Sequence, residues 1–229
     1  MTESGDYMGM KVDSAKQASA AEDVVKALLA EFSDEGLSAE VRNHTGGRHE
    51  RPYVYIECPP LVWGIVAETL CEVHGVDHCS MITGIHWPEK APEMEWQIVV
   101  HLMRMAIHNP DSKNGVVIPT IVDASIVQGA GMPLEFEVSI PIAETRTPSV
   151  PSVQHIWVGA DWNEKETWDL VGIDFEGHEE MRRVLQPHET PAGFHPLQKQ
   201  HKLRYHDFNE MYDDAQGFGR KPEDIGKVK

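Results

Sequence analysis

The chain has 229 residues, 41% hydrophobic and 25% charged, a composition suited to one soluble globular domain with tails. Its formal net charge of −17 argues against nucleic acid as a partner and against direct docking on anionic lipid, since both repel a like charge. No apolar run is long enough to span a bilayer, and the first residues lack the basic and apolar regions of a secretory leader, so the cytoplasm is the expected compartment.

Residues 1–17 are polar and aperiodic, as in a mobile tail. From Ala18 to Phe32 the apolar positions Ala21, Val24, Val25, Leu28, Leu29 and Phe32 repeat at helical spacing, which predicts an amphipathic helix. Extended runs at Leu37–Val41 and Tyr53–Cys58 flank the turn formers Asn43 to Gly47 and predict a hairpin. Pro59 and Pro60 open a second helix, with Val62, Ile65, Val66, Thr69, Leu70 and Val73 as its expected core face. A second hairpin is expected from His78–Trp87 and Glu95–Arg104. Further strands are expected at Val116–Asp123, where Pro119 implies an edge or bulge, and at Leu134–Ile142. The first part of the chain thus reads as α+β: a small, mostly antiparallel sheet with helices on one face.

Beyond Pro148 the pattern turns helical. Val150, Val153, Ile156 and Trp157 have helical spacing, and Asp161 with Glu164 three residues on resembles a capping box for the next helix. Gly172 stops that helix and Gly177 makes the following turn. Glu179 and Glu180 open a last helix, with Arg182 and Arg183 one turn on and Pro187 closing it. Residues 188–229 show little apolar periodicity and are expected to form an extended tail that needs a partner to order it.

Cofactor chemistry has little support. Cys58, Cys71 and Cys79 form no C-x-x-C pair, so the chain cannot alone supply the thiolates of an iron–sulfur cluster. There is no phosphate-binding glycine loop and no nucleophile elbow. Cys71, His74 and His78, next to Cys79, could share a helix face as a metal site, which leaves a free-standing metalloenzyme as the alternative of a different class. The plainer reading is structural, because no second ligand cluster has metal spacing. Glu164, Glu166 and Asp169 could do acid–base work, but capping, dipole complementarity and ion pairing with Lys165 or with Arg182 and Arg183 are the favoured account of them. So many charges beside Trp162, Trp168 and Phe175 suit a protein interface, where aromatics and arginine are the usual anchors.

The run W-N-E-K-E-T-W-D-L-V-G-I-D-F-E-G-H, Trp162 to His178, resembles the signature of the 30 kDa subunit of respiratory complex I, the C-type subunit of NADH-quinone oxidoreductases. That signature runs W-x-E-R-E-x-x-D-hydrophobic-x-G-I-x-F-x-G-H-P. Trp162, Glu164, Glu166, Asp169, Gly172, Ile173, Phe175, Gly177 and His178 fall in register, with Arg182 and Arg183 after them. A later H-P-L-R-K-D element appears as His195, Pro196, Leu197, Gln198, Lys199 and Gln200. Lys165 stands for the usual arginine, Glu179 for the proline after Gly-His, and Gln198 and Gln200 for arginine and aspartate. The resemblance implies a structural subunit without its own cofactor, in residues 18–187, whose signature residues face a partner. Iron–sulfur clusters, flavin and quinone would belong to partner subunits. It would sit against the large quinone-site subunit (the 49 kDa kind) and near the terminal iron–sulfur subunit, peripheral on the cytoplasmic side of the membrane. Membrane-bound nickel–iron hydrogenases and deazaflavin- or ferredoxin-linked dehydrogenases use an equivalent subunit, and the resemblance leaves them open.

Overall fold

A computed structural model describes residues 14–46, 51–105, 107–108, 120–121 and 132–201. Helix α1 spans Ser14–Phe32, beginning four residues before the expected start, and buries Ala20, Ala21, Val24, Leu28 and Phe32. The rest of the N-terminal tail, residues 1–13, lies outside the described residues. Strands β1 (Ser38–Asn43) and β2 (Pro52–Glu57) form the expected antiparallel hairpin. Two prolines set up the next helix, but α2 proper runs Trp63–Glu72, after a turn. Its buried face is Trp63, Val66, Ala67 and Leu70. The expected face is therefore rotated: Ile65 is 56% and Val73 68% exposed. Trp63 is the largest of the fully buried side chains, and burying it accounts for the rotation.

Strands β3 (His78–His86) and β4 (Trp96–Arg104) pair antiparallel, with an irregularity between Cys79 and Met81. A two-residue pair, β5 (Ile107–His108) and β6 (Thr120–Ile121), is all that is described of the strand expected at 116–123. Strand β7 (Leu134–Ile142) buries alternate residues and also Ser139, and enters the middle of the sheet, parallel to β2 and antiparallel to β4. The resulting five-stranded order is β1-β2-β7-β4-β3. Alternation, strict along β4 and broken along β7 only by buried Ser139, puts Ile98, Val100, Leu102, Phe136, Val138 and Ile140 into one core with the helices. Full burial of such side chains contributes about 1.5–3 kcal/mol each, offset by chain entropy.

The segment expected to be helical around 150–157 is not. Strand β8 (Ser149–Pro151) pairs parallel with β9 (Asp174–Glu176), which follows α3 (Ala160–Val171). Pro148 and Pro151 cannot donate helical hydrogen bonds, while the Ser152 amide donates to Glu176 O at 2.9 Å. Val150 and Val153 are buried by tertiary contact, so their spacing reflects an inward-facing irregular segment. The helix expected over 179–187 is also absent; these residues form turns and bends. Residues 188–198 belong to the same compact unit as the sheet. A second unit begins at Lys199, and only residues 199–201 of it are described, in a turn and bend.

Candidate functional site

Helix α3 lies directly on β3. A Cβ placed on Gly84 would sit 2.8 Å from Thr167 Cγ2 and 2.9 Å from Ile173 Cδ1, so only glycine permits this approach. Thr167 Oγ1 donates to Ile82 O at 3.1 Å, which covers part of the sheet's β3 edge. Trp157, buried before the helix, donates from Nε1 to Val76 O at 2.9 Å.

The expected capping box does not form. The N-cap is Gly159, without a side-chain cap, and Asp161 lies in the first turn. A Cβ at Gly159 would come within 3.0 Å of Cys79 O, which favours the smallest residue there. Glu164 turns inward and is fully buried. It accepts from Ser152 Oγ at 2.6 Å and from the Val153 amide at 2.8 Å. Burial pushes its carboxyl up to about 7, helped slightly by Asp161 and opposed by the two hydrogen bonds. Its role is to tie the irregular segment at 152–153 to α3.

Asp161 anchors a second cluster. Lys165, only 5% exposed at its side chain, bridges to Asp161 at 2.8 Å and lies 3.9 Å from Glu180. The Lys165 hydrogen bond is the largest reason the Asp161 carboxyl sits below its ordinary value, and the His178 side chain adds to it. His178 Nδ1 accepts from the Glu180 amide at 3.1 Å. That assigns the ring proton to Nε2, which faces Asp161 Oδ1 at 3.1 Å. Gly177, at φ 84°, makes the turn that brings His178 back.

Asp169 is the centre of the third cluster and is fully buried. Its Oδ2 accepts the amides of Val184, Leu185 and Gln186 at 3.1, 2.8 and 2.8 Å. Its Oδ1 takes Arg183 Nη1 at 2.7 Å. Burial alone would raise this carboxyl; the Gln186 and Leu185 amides, Arg183 and the Val184 amide outweigh it and hold it below the ordinary value. This is why 183–187 is not helical: its amides converge on one carboxylate instead of pointing along a helix axis. Arg183, expected beside Glu179, also donates to Pro191 O and Phe194 O, each at 3.1 Å, and stands 5.6 Å over the Trp168 ring. Arg182 is exposed and lies 3.5 Å from Glu180.

The end of α3 is closed by its own chain. Gly172, at φ 86°, donates to Thr167 O and Trp168 O. His195 Nδ1 donates to Asp169 O at 3.0 Å, the Leu197 amide to Leu170 O at 2.9 Å, and Gln198 Nε2 to Val171 O at 2.8 Å. The helix's last carbonyls are thereby satisfied. Gln198, where the family pattern has arginine, still supplies a donor.

Most of the signature is therefore internal. Glu164, Asp169, Ile173, Phe175 and His195 are buried, the His178 side chain is fully covered, and Arg183 is held by Asp169. Glu166 and Pro196 are half-buried. Trp162, Gly177, Arg182 and Leu197 are exposed, and Lys199 is exposed within the second unit. The sequence reading missed Ser152, Thr167, Gly84 and Arg104. Arg104 is buried, donates to Met132 O at 2.6 Å and His74 O at 3.0 Å, and is lowered to about 10 by burial. Its place in the strict alternation along the 96–104 run was the available signal.

Cys71, His74 and His78 do not share a helix face: α2 ends at Glu72, and His78 opens β3. Burial, then Glu72 and Asp77, raises the Cys71 thiol, and burial, then Arg104, lowers His74. Among the described residues no three His, Cys, Asp or Glu side chains are grouped to hold a metal ion. No described helix is long and apolar enough to cross a membrane.

The fold and site define a two-layer α+β domain, closed at one end by a helix whose carboxylates clasp the following segment. The family described as "Respiratory-chain NADH dehydrogenase, 30 Kd subunit" matches residues 56–207, and the chain belongs to it. It is similar to the C/D subunit of the NADH-quinone oxidoreductase of Gluconacetobacter diazotrophicus, 47% identical over 76 residues, covering 33% of this chain and 12% of that protein. It is also similar to the C subunit of the NADH-quinone oxidoreductase of Nocardioides sp., 28% identical over 178 residues, covering 74% of this chain and 59% of the relative. The chain thus spans 12% and 59% of the lengths of these two curated relatives. Among solved structures it resembles a trypsin-resistant fragment of Nqo5, with TM-score 0.43 and 22% identity, covering 68% of this chain and 97% of that one.

Proposed function

We propose that this chain is a structural subunit of the peripheral arm of a complex I-like oxidoreductase that passes electrons from NADH or a related donor to quinone, coupled to ion translocation. It seats against the large quinone-site subunit and beside the subunit with the terminal iron–sulfur cluster, on the cytoplasmic side of the membrane, and holds no cofactor itself. Flavin, clusters and quinone belong to its partners. The observation that carries this reading is the family match over residues 56–207.

The geometry agrees with a scaffolding role. Glu164 and Asp169 spend their acceptor capacity on their own chain, and Asp161 is taken by Lys165 and His178. Exposed Trp162, Leu185 and Leu197 stand around these clusters as anchors for a partner. The test is affinity purification of the tagged chain from gently solubilised membranes, followed by mass spectrometry. Co-elution of the large quinone-site and terminal iron–sulfur subunits is expected. Co-elution of a nickel–iron hydrogenase large subunit would assign the chain to that related complex, and elution alone as a stable monomer would overturn the reading.

A further inference from the structure

The three described α-helices pack on one side of the sheet. The core-facing residues of β2, β4 and β7 join the helices in a single core, and α3 meets β3 on that same side through Gly84. The side chains of opposite parity point away: Tyr53, Tyr55 and Glu57 on β2, Glu135 and Glu137 on β7, and Val99, His101 and Met103 on β4. These are half-buried, or exposed in the case of Glu57, and no described helix covers them.

This open face is organised. The register sets Tyr55, Glu137, His101 and Met81 in one row across four strands. Glu57, Ser139, Val99 and Thr83 form the next. The β3–β4 half therefore carries Met81, Thr83, Ile85, Val99 and Met103 with no carboxylate, while the β2–β7 half carries tyrosines and glutamates. The cationic side chains described on this face are already engaged. Arg42 bonds Glu40 at 2.6 Å and stacks on Tyr55 at 3.3 Å. His44 meets Glu135 at 2.6 Å and stacks on Tyr53, and His101 is bonded by Ser80 and lies 3.9 Å from Glu135. Neither Glu57 nor Glu137 meets a cation among the described residues.

A strand face destined for water is normally polar, and this one carries exposed Met81 and half-buried Ile85, Val99, Met103, Tyr53 and Tyr55 beside acids that meet no cation among the described residues. We infer that the open sheet face is a second docking surface, and that it takes a partner-subunit segment presenting apolar side chains flanked by lysine or arginine. Charge selects the occupant. Among the described residues Glu57 and Glu137 meet no counter-ion, and the chain's net charge of −17 repels a second copy of itself. The apolar half supplies desolvated contact area, and the glutamates set orientation. The inference rests on the subunit reading above and adds a surface distinct from the α3 end.

The test is carboxyl footprinting with carbodiimide and glycine ethyl ester, on the full chain alone and within the purified complex. In the complex, labelling of Glu57 and Glu137 is expected to fall at least fivefold, and carbodiimide alone should crosslink them to partner lysines. A Glu57→Lys/Glu137→Lys double variant, checked for native circular dichroism and melting temperature, should recover at least tenfold less complex. Equal labelling in both states, crosslinks between two copies of this chain, or normal recovery of the double variant would each overturn the inference while leaving the subunit reading intact. If the wild-type tagged chain brings down no oxidoreductase subunit, both fall together.

Discussion

Replacing Asp169 by asparagine tests whether one carboxylate determines the shape of residues 183–187. The native group accepts three backbone amides and Arg183 Nη1 while fully buried. Asparagine keeps one carbonyl oxygen but turns an NH₂ toward donors, and it leaves the Arg183 guanidinium, 9% exposed, without its counter-charge. Hydrogen bonds to charged groups are worth about 1.5–3 kcal/mol each, and removing one partner of a buried ion pair costs about 3–5 kcal/mol. The contributions overlap, so a total of about 4 kcal/mol is expected for Asp169→Asn. In urea, with a slope of about 2 kcal/mol/M, the unfolding midpoint should drop by roughly 2 M. The pH dependence gives a second readout. Because the folded carboxyl sits below its ordinary value of 3.8, its stabilisation is present above that value and is lost as pH falls through the lower folded one. Asp169→Asn should remove that acid loss. A midpoint within about 0.3 M of wild type, with the acid limb unchanged, would refute the reasoning.

Glu164 carries the opposite sign. Its folded carboxyl lies near 7 against an ordinary 4.5, so stability is greatest below 4.5 and declines as pH rises toward 7. Glu164→Gln should flatten that decline, worth up to about 3 kcal/mol, in urea midpoints measured across the range. Gly172→Ala should cost more than Gly177→Ala in thermal unfolding. Both glycines have positive φ, but a Cβ at Gly172 would lie 2.7 Å from His195 Cδ2, whereas at Gly177 it meets nothing within 4 Å. The backbone penalty alone is about 1–2 kcal/mol at each. Equal losses would mean that the His195–Gln198 cap yields freely. Gly84→Val should separate α3 from β3, seen as lost amide-exchange protection at Thr167–Val171; unchanged protection would contradict the close approach at Gly84.

What the sequence makes legible is local. Helix α1, the β1–β2 hairpin and the glycine stop at Gly172 follow from spacing and turn chemistry within a few residues. What it hides is long-range. Strand β7 enters between β2 and β4, a pairing that no local pattern encodes. The helix expected around 150–157 fails because Val150 pairs with Phe175 and Val153 donates to Glu164, so burial by distant partners imitates helical spacing. The helix expected from Glu179 fails for the same kind of reason: Asp169 takes amides 15 to 17 residues away. The signature residues were identifiable as a set, but their direction was not. Dense charge beside aromatics suggests an outward interface, whereas Glu164, Asp169 and Arg183 face inward, and Trp162, Arg182 and Leu197 remain outside.

The claim that this chain holds its complex together is tested most directly by native gel electrophoresis of membranes from a strain lacking it, probing for the large quinone-site subunit. This subunit is expected to leave the full-size complex and to return when the chain is restored. A full-size, quinone-reducing complex that persists without the chain would contradict it.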